Sequence, residues 1–334
     1  MKIVFYDIKE IEKEFYRTNC PSELEIIFTS SSLNKETINK EELEAEMISG
    51  FIGSNFSKEI LKKFKNLKYV FLRSVGYDHV DTEYCKKREI RVFNTPRYGD
   101  WTIAEYAFGL LLSIVRKIME ANSAVKNGSV NPDDFMGLEL HSKTLGIIGL
   151  GKIGERVAQI GKGFNMKIIF YDIKDNPDYK KVDFDSLCKM SDFIIITCPL
   201  TDKTKYLFNK DKFKIMKNEA TIINIARGEI IKTEDLLNAL ENKKINFAGL
   251  DVIECEYITN NINKKDFCLE CNSENCLKKY ITNQKLLKNK KVIVTPHIAY
   301  NTKEAMQRIM QMTISNIKCA MNKKCEVKNE NIVI

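Results

Sequence analysis

The strongest constraint on this chain is an apolar strand that runs directly into a glycine-rich turn. Leu145-Gly146-Ile147-Ile148-Gly149-Leu150-Gly151-Lys152-Ile153-Gly154 reads as a buried strand, a Gly-x-Gly-x-x-Gly turn and the start of a helix. Each glycine of the turn has its own reason. Gly149 permits the tight turn, Gly151 lets a diphosphate approach the backbone, and Gly154 lets the helix pack close to the strand. The N–H groups and positive end of the new helix then favour an anion. A second apolar run, Lys167–Tyr171, leads to Asp172, about 20 residues on, where a carboxylate meets ribose hydroxyls and repels a 2′-phosphate. The pattern predicts a dinucleotide site that prefers NAD to NADP, with Lys174 as a nearby counterweight.

Strands and helices alternate on both sides of this motif. Apolar runs at 2–6, 24–28, 47–52, 69–72 and 90–93 predict five buried strands, and a helical pattern spans 59–64. A second series at 144–149, 167–171, 193–197, 221–225, 247–252 and 292–295 predicts six more. Such alternation implies parallel sheets covered on both faces, hence two doubly wound α/β domains. Between the series, 101–125 reads as one long apolar helix, expected to bury itself against another domain or subunit. A last helix is predicted over 303–321, with Asn301 and Glu304 as a capping box. Its core-facing stripe would be Met306, Ile309, Met310, Thr313, Ile317, Ala320 and Met321. The segment 255–290 is long for a connection and should hold a short helix at 277–287.

Composition removes several function classes. No apolar run approaches the roughly 20 residues of a membrane span, and the N-terminus lacks the apolar stretch of a signal peptide, so a cytoplasmic location is expected. The net charge of +8 is spread through the chain, which favours a solvated surface over nucleic-acid binding. The ten cysteines are scattered along the chain and are expected to be reduced.

Reduction of a carbonyl next to a bound dinucleotide needs an acid/base, a partner that holds it protonated, and a cation for the substrate. Of the three histidines, His79 and His141 read as turn or surface residues. His297 comes after the apolar strand Val292-Ile293-Val294, the position where catalytic groups gather in α/β folds. Arg227 also comes after a strand, in Asn224-Ile225-Ala226-Arg227-Gly228, and its planar fork suits a carboxylate. Asp251-Val252-Ile253-Glu254-Cys255-Glu256 offers two glutamates as the histidine's partner, and spacing does not choose between them.

Taken in order, these motifs together with Arg73-Ser74-Val75-Gly76-Tyr77-Asp78 and Thr295-Pro296-His297 resemble the D-isomer-specific 2-hydroxyacid dehydrogenase family over nearly the whole sequence. The lactate dehydrogenase-like members are the most similar. The resemblance implies a Rossmann NAD-binding domain, residues 100–298, inserted into a flavodoxin-like substrate domain of residues 1–99 and 299–334. It implies that Glu256 rather than Glu254 partners His297, that Arg227 is the substrate arginine, and that the backbone N–H groups of Val75 and Gly76 bind the substrate carboxylate. Tyr98 matches a substrate-contacting position. Besides Gly149, Gly151 and Gly154, cofactor contacts are implied for Lys152, Ile153, Asp172, Cys198, Pro199, Thr204, Ile225, Ala226 and Asp251. The region after Trp101 is implied to form a homodimer interface. The implied reaction interconverts a small 2-keto acid and its D-2-hydroxy acid, with pyruvate and D-lactate foremost. Branched 2-keto acids, hydroxypyruvate or glyoxylate, and phosphohydroxypyruvate are the alternatives. A NAD-sensing corepressor-like protein is the competing class, and Arg227, Glu256 and His297 together argue against it. Cys268-x-x-Cys271 with Cys276 has a zinc-like spacing, but without a nearby histidine these are expected to be thiols and no metal is expected.

Overall fold

Two all-parallel sheets organise the chain. The computed structural model describes residues 1–128, 131–256, 274–322 and 331–334, with the backbone alone for 274–276. The chain divides into one unit of Met1–Tyr98 with Thr302–Ile334 and a second, continuous unit of Gly99–Asn301.

In the first unit, strands β1 (Lys2–Phe5), β2 (Glu25–Phe28), β3 (Met47–Gly50), β4 (Tyr69–Leu72) and β5 (Arg91–Phe93) lie in the order β2-β1-β3-β4-β5. This is the flavodoxin-like doubly wound order. Val4, Ile48, Val70 and Val92 pack on one face with Ile60, Leu61 and Phe64. Ile3, Phe5, Phe71 and Phe93 face the helix Lys303–Met321 through Ile314, Ile317 and Ala320. The free edge of β5 is covered by the C-terminus, where Val333 N–H donates to Val92 O at 2.9 Å.

In the second unit, β6 (Thr144–Ile148), β7 (Lys167–Tyr171), β8 (Lys180–Lys181), β9 (Phe193–Ile196), β10 (Thr221–Asn224), β11 (Phe247–Leu250) and β12 (Val292–Val294) form the order β12-β11-β10-β9-β6-β7-β8. The chain reverses direction across the sheet between β6 and β9, so the glycine turn sits at the switch point where such sheets bind ligands. β8 has no counterpart among the predicted strands. It is two exposed lysines on the sheet edge and carries no apolar signal.

Three expectations need correction. The single helix expected over 101–125 is two, Asp100–Val115 and Ile118–Lys126. Leu138 N–H donates to Val115 O at 2.8 Å, taking a carbonyl that helix continuation would need, and Lys117 turns the chain in a left-handed conformation, φ 51°. The apolar face of Asp100–Val115 is also not reserved for another domain or subunit. Ala104, Ala107, Phe108, Leu111 and Ile114 pack into the core of their own sheet with Leu145, Ile147, Val157 and Ala158. Finally, the cap of the last helix is Thr302, whose hydroxyl accepts from Ala305 N–H at 3.2 Å. Asn301 belongs instead to the preceding turn, its N–H donating to Ile298 O. Along that helix Met310 and Met321 pack half-buried against the core as expected, and Asn316 is buried as well, donating to Asn94 O at 2.9 Å.

No helix among the described residues is long and apolar enough to cross a membrane. Cys20, Cys85, Cys188 and Cys198 are free thiols. Cys268, Cys271 and the side chain of Cys276 lie outside the described residues.

Candidate active site

The glycine turn is built as its spacing requires. Gly149 takes φ +89°, and a Cβ there would lie 2.7 Å from Cys198 Cα. A Cβ on Gly154 would meet Gly149 O at 2.2 Å, so only glycine lets the helix Lys152–Gly163 start this close to β6. A Cβ on Gly151 would meet nothing within 4 Å and would fill open space instead. That opening, at the N-terminus of a helix, is a cradle of the kind a diphosphate occupies. Thr197 Oγ1 donates to Gly149 O at 2.5 Å and secures the turn from β9. Asp172 closes the side: its carboxylate accepts from Leu150 N–H at 2.6 Å and Lys174 N–H at 2.9 Å. Lys152 is exposed and pairs with Glu155 at 3.5 Å, and Ile153 is half-buried beside it.

The other expected cofactor residues come after β9 and β10. Cys198 is buried, and burial pushes its thiol up to about 12, which makes it a packing group rather than a nucleophile. Thr204 Oγ1 donates to Pro199 O at 2.7 Å, closing that loop on itself. Ile225 and Ala226 are nearly buried at the end of β10. These features fit a dinucleotide: glycines at the two crowded points, an open third, and a carboxylate held at the end of β7.

Arg227, Glu256 and His297 lie just past three adjacent strands. Asn224, Leu250 and Val294 are in register across β10, β11 and β12, so the three loops leave the sheet at one level. His297 Nδ1 lies 2.9 Å from Glu256 Oε2, with both side chains partly exposed. His297 itself adopts φ 54°, rare for a residue with a Cβ. Asp251 holds that turn. Its carboxylate accepts from Thr295 Oγ1 at 2.6 Å, Ile298 N–H at 3.0 Å and Ala299 N–H at 2.8 Å. Its carbonyl accepts His297 N–H at 2.9 Å. Arg227 is half-buried; Nη1 donates to Ala226 O at 2.8 Å, and Asn224 Nδ2 donates to Arg227 O at 2.9 Å.

The two glutamates that spacing left equivalent are separated by geometry. Glu256 faces the imidazole. Glu254 is 3% exposed and bonds Tyr206 and Thr233. In the first unit, Val75 is exposed and Gly76 half-buried; their carbonyls accept from Asn94 Nδ2 at 2.8 Å and Ser74 Oγ at 2.7 Å. Tyr98 is buried, and its carbonyl accepts from Arg308 Nε at 2.7 Å. His141 is exposed beside Ser142, and His79 is half-buried against Phe56.

Residues 108–299 match the NAD binding domain of D-isomer specific 2-hydroxyacid dehydrogenase. The chain belongs to this family. It is 32% identical to a 2-hydroxyacid dehydrogenase homolog of Haemophilus influenzae over 343 residues, covering 100% of this chain and 99% of that one. A hydroxypyruvate reductase of Thermotoga maritima is 36% identical over 290 residues, 86% of this dehydrogenase and 88% of the relative. Among solved structures, D-lactate dehydrogenase from Aquifex aeolicus complexed with NAD and lactic acid is similar, with a TM-score of 0.89, 31% identity, and coverage of 99% and 98%. The chain is thus an NAD-dependent D-2-hydroxyacid dehydrogenase.

Some supporting residues of the dehydrogenase carry weak signals in its sequence. Tyr106, on the helix Asp100–Val115, bonds Thr295, and its hydroxyl pKa is raised by burial and the nearby Asp251. The phenol itself is the available clue, since a tyrosine hydroxyl drawn out of water needs a partner. Asn224, buried at the end of β10, ties down Ala226 and Arg227. Tyr206 and Lys279, which hold Glu254, sit in segments with no motif.

Proposed function

We propose that this dehydrogenase reduces pyruvate to D-lactate, with His297 as the acid/base, Glu256 as its partner and Arg227 as the substrate cation. One observation carries the reading: His297 and Glu256 meet at 2.9 Å on the loops after β12 and β11, and β10, which leads to Arg227, is the next strand. When bound, NADH supplies the hydride. Protonated His297 then donates to the oxygen that gains negative charge at C2, and Glu256 offsets the imidazolium charge until the proton leaves. Arg227 grips the 2-keto carboxylate with its planar fork and polarises the carbonyl. The N–H groups of Val75 and Gly76 and the side chain of Tyr98 belong to the same proposal as substrate contacts. So do Lys152, Ile153, Asp172, Pro199, Thr204, Ile225, Ala226 and Asp251 as cofactor contacts beside the glycines, with buried Cys198 shaping the floor.

Pyruvate is placed first because of the likeness to the Aquifex aeolicus D-lactate dehydrogenase over almost the whole of both chains. Glyoxylate and hydroxypyruvate come next, since curated relatives include a glyoxylate reductase of Thermococcus litoralis and the hydroxypyruvate reductase of Thermotoga maritima. NADH oxidation against a panel of 2-keto acids, with the chirality of the product determined, tests the order. The expected result is highest kcat/KM with pyruvate and a D product. His297→Gln should lose at least about a hundredfold in kcat, the ordinary contribution of a general acid, while retaining NADH affinity. Near-normal turnover in that variant would remove His297 from the chemistry.

We also propose a homodimer in the cytoplasm. The helix Ile118–Lys126 buries none of its residues, and Ile118, Met119 and Val125 are all exposed on it. Sedimentation should give twice the 38.6 kDa chain mass. A monomer at working concentrations would refute the assignment.

A further inference from the structure

The segment that delivers Glu256 is anchored by a charged group two residues earlier. The Glu254 carboxylate is withdrawn from solvent and reached from two helices and a turn. Thr233 N–H, at the start of the helix Thr233–Glu241, donates to Oε2 at 2.8 Å. The Tyr206 hydroxyl donates to Oε1 at 2.8 Å. Lys279 Nζ, from the helix Glu274–Leu287, lies 3.0 Å from the same oxygen and donates to the Tyr206 hydroxyl at 3.2 Å. The Glu254 carbonyl accepts from Asn283 Nδ2 at 2.7 Å, one turn further along that helix.

A buried carboxylate this well satisfied is a fixed point, because releasing it would leave a charge uncompensated in a poorly solvated site. The very next residue is not relaxed. Cys255 adopts φ 54°, so the chain reverses sharply between the anchored Glu254 and the Glu256 that faces His297. The same segment supports the other two groups of the site. A Cβ on Gly228 would lie 2.1 Å from the Ile253 carbonyl carbon and 2.5 Å from Glu254 N, so the Arg227–Gly228 turn rests on this backbone. The His297 turn hangs on Asp251, through its carbonyl and carboxylate.

We propose that Glu254 is a positioning residue of the dehydrogenase: its contacts with Tyr206, Thr233 and Lys279 hold the Cys255 turn and so keep the Glu256 carboxylate on His297. Glu254 touches no reacting atom. It acts through Glu256, and the inference rests on the acid/base assignment made above.

The test is a double-mutant cycle on steady-state keto-acid reduction, with NADH affinity measured by fluorescence. Tyr206→Phe and Lys279→Met loosen the anchor without removing the buried carboxylate, and Glu254→Gln removes its charge. The expected result for Tyr206→Phe and for Lys279→Met is a fall in kcat of about tenfold, with keto-acid KM changed less than about twofold and NADH affinity unchanged. In a Glu256→Gln background the same substitutions should change kcat less than about twofold, because the group they position is no longer a carboxylate. A fall in melting temperature with kcat intact would overturn the proposal, as would an equal loss of kcat in both backgrounds. If Glu256→Gln and His297→Gln are themselves fully active, the acid/base assignment fails first. If both are strongly but measurably impaired while the anchor variants keep wild-type kcat, only the positioning role fails.

Discussion

Glu254 and Glu256 show how little residue type decides by itself. Two residues apart on one loop, one carboxylate is 3% exposed and held by three donors, while the other is partly open and faces an imidazole. Burial by itself would push the Glu254 pKa up. The Thr233 N–H, the Tyr206 hydroxyl and the Lys279 ammonium outweigh it and hold the carboxyl below its ordinary value of 4.5. Lys279 answers in the opposite sense, its ammonium being held charged by Tyr206 and Glu254 against the cost of burial. A carboxyl whose folded pKa is depressed stabilises the fold in full above its unfolded value and loses that contribution as pH falls through the folded one. Urea midpoints of the wild type and Glu254→Gln should therefore differ at neutral pH, begin to approach each other below about pH 4.5, and converge only once the pH has fallen through the lower, folded pKa. A difference that stays constant into acid would show that the carboxylate's charge contributes nothing and only its shape matters.

Elements with strong internal periodicity are legible in the sequence, and those decided by partners elsewhere in the chain are not. The strands Tyr69–Leu72 and Lys167–Tyr171 and the helix Lys303–Met321 are found as read, because buried parallel strands and an amphipathic helix write their burial into local pattern. The long apolar helix breaks at Val115 because the terminator, Leu138 N–H, lies in a later segment. That its apolar face packs on its own sheet is illegible for a related reason: periodicity shows that a face is buried and not what covers it. The glycine turn is readable in detail since each glycine answers a local steric demand. The pairing of Glu256 with His297 is not readable from spacing and came from resemblance, because Cys255 in a left-handed conformation redirects the chain between two otherwise equal candidates. The anchor at Glu254 leaves no trace, its partners being Tyr206, Thr233 and Lys279, which are distant along the chain.

At the scale of the molecule, the chain builds two units from unequal pieces, each with an apolar layer on either face of its sheet. The first unit needs both ends of the chain, since Ile314 and Ile317 complete the layer over Phe5 and Phe71. The second is one uninterrupted run, Gly99–Asn301, with apolar layers on both faces of its seven strands. It also contains the glycine turn, Asp172, Arg227, Glu256 and His297, together with the bonds from Asp172 to Leu150 N–H, Asn224 to Arg227, Glu256 to His297 and Asp251 to Ala299 N–H. At roughly 200 residues it exceeds the size at which a single domain buries enough surface to fold alone. Residues 99–301 expressed by themselves should therefore melt cooperatively, and NADH at about a hundredfold above its dissociation constant should stabilise the fragment by about 2.7 kcal/mol. The same fragment should not reduce keto acids at the full-length rate if Val75, Gly76 and Tyr98 contact substrate as proposed. Calorimetry with and without NADH measures the first expectation and steady-state kinetics the second. A fragment that melts without cooperativity would mean that the core of the second unit depends on residues outside it, and full-length activity in the fragment would refute the proposed substrate contacts of Val75, Gly76 and Tyr98.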